Sequence, residues 1–271
     1  MIPESFDYHR PSSVDEAIGL LSDDAKLLAG GHSLIPAMKL RLSSPSALVD
    51  IGQLPELNYI REDGDAIAIG AASTHHQIES SDVVQSKASA LAQAASVIGD
   101  PQVRNKGTIG GSLAHADPAA DYPAAILALG AGIQVKGADG ERTIAADEFF
   151  VDLFLTSLAP DEIITEIRVP AADKSAYVKF PHPASRFAVV GCAAAASGGS
   201  VKIAFTGVAN AAFRDEGIEG ALGSDLSSDS IGAAAEKAAD GAEVLTDNFA
   251  GEEYRRHLAK VYARKALSAI A

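Results

Sequence analysis

The chain has 271 residues and a mass of 27.8 kDa, 47% hydrophobic and 21% charged, a composition that excludes global disorder, collagen and coiled coil. Its 52 alanines and 24 glycines, with no tryptophan, require helices and strands to pack closely through small side chains. A net charge of -14 repels polyphosphate backbones and argues against nucleic acid as a partner, while the single cysteine, Cys192, permits no intrachain disulfide and no thiolate-held cluster.

From the amino terminus, Ser13-Val-Asp-Glu16 has the spacing of a capping box and predicts a helix over 14–22. Residues 26–29 read as a strand that runs into Gly30-Gly31, and Ser33 is placed to cap a second helix through about Met38. A strand follows at 48–51, then a hairpin at 59–69 whose turn contains Gly64. Thr74-His-His-Gln77 is a further capping box, and 86–98 reads as an alanine-rich helix ended by Gly99. The stretch 101–121 is apolar, marked by glycine and proline and without period, which predicts a long functional loop. A helix at 123–129, strands at 133–136 and 142–144 around Asp139-Gly140, and a strand at 162–169 complete this region. Three strands at 175–180, 188–196 and 201–208 and two helices at 230–239 and 252–270 finish the chain. No segment approaches the ~18 apolar residues needed to span a bilayer and the start lacks a signal-peptide pattern, so the expected location is the cytoplasm.

Two glycine loops carry the chemistry. Loop one, Lys26-Leu-Leu-Ala-Gly-Gly-His-Ser33, lies between a strand and a helix, where glycines admit a ligand close to the backbone and free amides face it with the positive end of the helix dipole. A diphosphate suits such a site in an acidic chain, because backbone amides hold an anion without a cluster of Lys or Arg. The other reading is a turn that merely lets a helix pack on a sheet. Loop two, Gly107-Thr-Ile-Gly-Gly-Ser112, offers the same close approach with the hydroxyls of Thr108 and Ser112 on either side. Neither spacing fits the dinucleotide fingerprint or the nucleoside-triphosphate loop. His75-His76 and His115-x-Asp117 are weak as metal ligands, and His32 is placed to face an anion or simply to pack. No Ser-His-Asp set or carboxylate pair stands out, so no catalytic acid or base and no metal site are expected on this chain.

Ser5-Phe-Asp-Tyr-His-Arg-Pro11, Ala29-Gly-Gly-His-Ser-Leu-Ile-Pro36 with Met38-Lys39, and Thr108-Ile-Gly-Gly-Ser112 followed by Asp117-Pro118 and Asp121 resemble the flavoprotein (medium) subunits of the molybdenum hydroxylases, most closely the aerobic carbon monoxide dehydrogenase branch of the xanthine dehydrogenase family. The resemblance covers nearly the whole chain. It implies an α+β fold of the vanillyl-alcohol-oxidase/PCMH FAD-binding type with a C-terminal domain of three antiparallel strands plus helices. The divisions would be 1–55 and 56–171 for two FAD-binding subdomains and 172–271 for the C-terminal domain. It further implies FAD on this chain and, on partners, an iron-sulfur small subunit with two clusters and a molybdopterin large subunit, assembled as a dimer of heterotrimers. Electrons would pass from the clusters through FAD to an external acceptor. The implied cofactor-binding residues are Lys26, Ala29, Gly30, Gly31, His32, Ser33 and Leu34 of loop one and Gly107, Thr108, Ile109, Gly110, Gly111 and Ser112 of loop two, with Asp117 beyond it. Ile98 would be an apolar flavin contact, Asp121 a polar one, Ile164 and Lys179 later contacts, and Phe187 an aromatic beside the isoalloxazine. The alternatives are a free-standing FAD oxidoreductase of the same fold, which would need its own substrate domain, and an interaction subunit that has lost flavin; intact glycines in both loops argue against the latter.

Overall fold

The computed structural model of the chain describes residues 2–271. The first sheet is wholly parallel: β1 (Asp7–His9) and β2 (Ala25–Leu28) both pair with β3 (Ala47–Asp50), and α1 (Val14–Gly19) and α2 (Leu34–Lys39) make the two crossovers that parallel pairing requires. Ser13 Oγ accepts the amide of Glu16, as the capping box predicts, but the Glu16 carboxylate accepts from Ser12 instead of closing the box on Ser13. Val14, Ala17, Val49 and Ile51 bury the inner face against Leu54, Leu57 and Ile163.

The second sheet is antiparallel, in the order β4-β5-β10-β6-β7. It begins with the hairpin β4 (Ile60–Asp63) and β5 (Ala66–Gly70), after which the chain leaves for six helices: α3 (His75–Ser80), α4 (Asp82–Lys87), α5 (Ser89–Ser96), α6 (Pro101–Arg104), α7 (Ile109–His115) and α8 (Tyr122–Leu129). It returns as β6 (Gly132–Gly137) and β7 (Gly140–Ala145), passes α9 (Ala146–Phe149) and the small ribbon of β8 (Phe150–Asp152) and β9 (Leu155–Thr156), and enters the sheet centre as β10 (Ile163–Pro170). There Ile167 lies opposite Ile69 on one side and Ile133 on the other, with a bulge between Ile164 and Glu166.

Two expectations change here. The single helix at 86–98 is α4 and α5, broken at the fully buried Ala88 (φ -146°, ψ 53°), because Ser175 Oγ, distant in sequence, accepts the Ala90 amide (3.0 Å) at the start of the new helix. The stretch 101–121 is not an irregular loop. Asp100 accepts the Val103 amide (2.9 Å) and starts α6, and Thr108 caps α7 through the Gly111 amide (3.1 Å). Two glycines in the first turn of α7 hide it from propensity, and tertiary contacts supply what propensity lacks.

The third sheet is antiparallel, β11 (Lys174–Pro181), β12 (Ala188–Ser197), β13 (Ser200–Thr206) and a fourth, two-residue strand β14 (Phe213–Arg214) too short to read from a pattern. On one face lie α10 (Glu216–Leu222), α11 (Ser228–Ala235) and α12 (Glu252–Ile270); on the other lie α5 and α8. Helix α8 is buried at every position, wedged between the second and third sheets, so it shows no polar face. The alanines do the work that composition foretold: Ala94, Ala95, Ala124 and Ala128 of α5 and α8 share one core with Ala193, Ala195 and Ala204 of the sheet.

Candidate functional site

Loop one leaves the end of β2 and turns at Gly31 (φ +75°), a backbone state that glycine holds without strain, into α2. Ser33 does not cap that helix with its side chain, and its hydroxyl stays free. The amides of Gly30, Gly31, His32 and Ser33 donate to no atom among the described residues, so four consecutive N–H groups are left to an outside acceptor. His32 folds its ring back so that Nδ1 lies 3.0 Å from the carbonyl of Gly30.

Loop two behaves differently. The amides of Ile109 and Gly110 donate to the carbonyls of Ser73 (3.1 Å) and Ala71 (2.9 Å), and those of Gly111 and Ser112 are taken by Thr108, on its hydroxyl and carbonyl. Its glycines make room for the chain itself. A Cβ on Gly110 would stand 2.6 Å from Ala71 Cβ, and one on Gly107 would stand 2.4 Å from His75 Nε2. The loops touch backbone to backbone, since a Cβ on Gly30 would lie 2.2 Å from the Lys106 carbonyl oxygen and 2.7 Å from Gly107 Cα. What loop two has left for an outside partner is therefore the hydroxyls of Thr108 and Ser112 and the single amide of Thr108, which donates to no atom among the described residues.

Two clefts open beside this junction. The larger, of about 710 Å³, runs along Lys26, Ala29 to Leu34, Ile98, Gly107, Thr108, Gly110 to Ser112, Asp117, Asp121, Ile164 and Phe187. The smaller, of about 580 Å³, shares Ala29 to His32 and Thr108 and is closed by Asp50, Gln53, Asn58, Asn105 and Lys106. Loop one forms a wall common to both. Of the predicted residues two stand apart: Ile109 is fully buried in the core, and Lys179 reaches the cleft only through Asp121. Sequence reasoning missed Val103, residues 158–160, Glu162, Ile163, Arg186 and His75, all of which line the larger cleft. The capping-box position of His75 is legible, but not the ring's surroundings.

Asp121 sits at the foot of α8 and is almost wholly buried, accepting from Tyr177 Oη (2.5 Å) and Lys179 Nζ (2.9 Å) of β11. Burial pushes its carboxyl up to about 6, and the Lys179 cation opposes the rise. Lys179 Nζ also donates to the Val97 carbonyl (3.3 Å), so one ion pair pins the third sheet to α8 and to the end of α5. His75, at the start of α3, is buried; desolvation first, then the nearness of His32 and Arg104, holds its ring down to about 4. Its Nδ1 lies 3.1 Å from the hydroxyl of the fully buried Tyr122. Lys26 and Arg186 line the larger cleft and Lys106 the smaller, so basic side chains as well as the amides of loop one are within these walls. Cys192 is buried in β12, where desolvation raises its thiol well above the usual range.

Residues 4–172 match the FAD binding domain in molybdopterin dehydrogenase, and residues 175–270 match the CO dehydrogenase flavoprotein C-terminal domain. The chain is 43% identical to the carbon monoxide dehydrogenase medium chain of Hydrogenophaga pseudoflava, over 99% of this chain and 98% of that one. It is 38% identical to the glyceraldehyde dehydrogenase medium chain of Sulfolobus acidocaldarius over the full length of both. Among solved structures it superposes on carbon monoxide dehydrogenase from Hydrogenophaga pseudoflava with a TM-score of 0.94 at 44% identity, covering 100% of this chain and 98% of that one. On quinoline 2-oxidoreductase from Pseudomonas putida 86 the TM-score is 0.93 at 29% identity, covering 100% and 98%.

Proposed function

The chain belongs to the FAD-binding family of molybdopterin dehydrogenases, and from that premise we propose that it is the electron-transfer flavoprotein subunit of a carbon monoxide dehydrogenase-like molybdenum hydroxylase. When bound, FAD supplies the redox chemistry, receiving electrons that originate at a partner's molybdopterin centre, pass through two iron-sulfur clusters on a small subunit, and leave to an external acceptor. The assembly is a dimer of heterotrimers working in the cytoplasm; no helix among the described residues is long and apolar enough to cross a membrane. The division into 1–55, 56–171 and 172–271 is supported by the three larger sheets, one of which lies in each segment.

The observation that carries the reading is the run of four unspent amides, Gly30 to Ser33, in the wall between two clefts. Such a nest binds a diphosphate, and a cleft on either side receives the two halves of a dinucleotide. On this reading Gly30 to Ser33 hold the diphosphate, Thr108 and Ser112 donate hydroxyls, Lys26 and Asp117 add charged groups to the walls, and Ala29 and Leu34 add apolar ones. Ile98, Ile164 and Phe187 offer apolar surface to the ring system, while Asp121, fixed by Lys179, presents its carboxyl. The glycines and Ile109 of loop two act by holding that loop against loop one.

The test is purification of the chain alone and with its co-migrating partners. The isolated chain should carry one FAD that acid precipitation releases into the supernatant, and it should not oxidise carbon monoxide, aldehydes or N-heterocycles with an artificial dye as acceptor. Activity should appear only with the iron-sulfur and molybdenum subunits present. Turnover by the lone chain would favour the free-standing oxidoreductase instead.

A further inference from the structure

We infer that His75 is a further cofactor-binding residue, its Nε2–H donating a hydrogen bond to an oxygen of the FAD linker where the two glycine loops meet. This rests on the reading that FAD lies across those loops.

Three observations on different atoms converge. The first concerns the tautomer. Tyr122 is completely buried, and the only hydrogen-bond partner of its hydroxyl among the described residues is His75 Nδ1 at 3.1 Å. A phenol must spend its proton on an acceptor. Were Nδ1 protonated, the Tyr122 O–H would be left in the core with no acceptor, so the hydroxyl donates to Nδ1 and the ring proton resides on Nε2. The second concerns access. Nε2 makes no hydrogen bond among the described residues. The only buried side-chain polar atoms sealed off without a partner among the described residues are Ser157 Oγ and Arg255 Nε. Nε2 is therefore open, and the space it opens to is the larger cleft, which His75 lines although the residue is 95% buried, its relative exposure being 5%. The third concerns place. The ring stands where a side chain on Gly107 would be, Gly107 in turn abuts Gly30, and the His75 amide donates to the Gly107 carbonyl (3.0 Å). The donor is thus fixed behind the amides of loop one, and its environment keeps the ring neutral, with one proton to give.

The experiment uses the full chain with histidine labelled in nitrogen-15, with and without FAD. Long-range proton–nitrogen correlation should show His75 as a single Nε2–H tautomer, and saturating FAD should shift its Nε2 signal. Flavin-fluorescence titration then compares variants. His75→Phe should weaken FAD binding about tenfold, the effect of one lost hydrogen bond, while His75→Gln, which keeps a donor on a side chain of similar reach, should stay within about threefold. An Nδ1–H tautomer, or an Nε2 signal that saturating FAD leaves in place, overturns the inference even if His75→Phe fails to fold. A folded His75→Phe of undiminished affinity overturns it too. A wild-type chain that takes up FAD while His75 stays silent sinks this inference alone; a chain that takes up no FAD sinks the flavin reading with it.

Discussion

A methyl group on Gly30 would meet backbone, not a movable side chain: the Lys106 carbonyl oxygen at 2.2 Å and Gly107 Cα at 2.7 Å. Gly30→Ala should therefore force the two loops apart, costing about 1–3 kcal/mol of stability and most of the FAD affinity. Gly111 is the contrast. Its Cβ would meet Thr108 Oγ1 at 2.9 Å and Ala29 Cβ only at 3.8 Å, so Gly111→Ala should disturb chiefly one cap, at about 1 kcal/mol, and leave much of the flavin in place. Melting temperature and the flavin-to-protein absorbance ratio of the two purified variants separate these outcomes. His75 and Asp121 make a second, pH-dependent prediction. His75 titrates at about 4 in the folded chain against 6.5 when unfolded, so the folded state holds fewer protons and this group adds stability as pH rises across that window, roughly 3 kcal/mol in all. Asp121, pushed up to about 6 from 3.8, has the opposite sign: the folded state holds more protons, and its contribution falls as pH rises from about 4 to 6. The two oppose each other in the wild type. In His75→Gln the histidine contribution is gone, so the variant's melting temperature should rise less, or fall more, than that of wild type as pH goes from about 4 to 6.5; a profile parallel to wild type would show that His75 does not titrate as placed.

At the scale of elements, the Asp121–Lys179 pair joins α8, β11 and the end of α5 with both side chains only 5% exposed. Removing one partner leaves a buried charge alone, so Lys179→Met should cost about 3–5 kcal/mol, and the double variant with Asp121→Asn should recover part of it. Denaturant titration of the two variants measures the difference, and a Lys179→Met as stable as wild type would mean the pair is not dry. The elements that were readable in advance are those whose signals are local. Thr74 and Gln77 cap α3 reciprocally, as their spacing predicts, and the glycine turns at Gly64 and Gly140 carry hairpins. Loop one was legible for the same reason, being strand, turn and helix in sequence. Helix α7 was not, because Gly110 and Gly111 lower its propensity and the compensating bonds come from Ala71 and Ser73. The break at Ala88 depends on Ser175, and the setting of His75 on Tyr122 and Gly107, partners that no local window contains.

For the whole molecule, the cleft draws its walls from the three larger sheets: loop one from the first, Ile164 and the segment before it from the second, and Phe187, with Lys179 behind Asp121, from the third. Whatever fills it binds the folded arrangement and has no comparable site on the unfolded chain. Free FAD at a hundredfold excess over its dissociation constant should then add about 2.7 kcal/mol to stability, readable as a rise in melting temperature that FMN or riboflavin at equal concentration does not match. An unchanged melting temperature would mean the cleft is not where flavin binds. The wall of four unspent amides carries this further, into the life of the protein in its cell. A ligand seated on them holds the folded arrangement, so limited proteolysis of the chain should be slower with FAD than without it. If the chain carries FAD as proposed, riboflavin-starved cells should hold less of it, a fall that immunoblotting of the chain against total protein would measure.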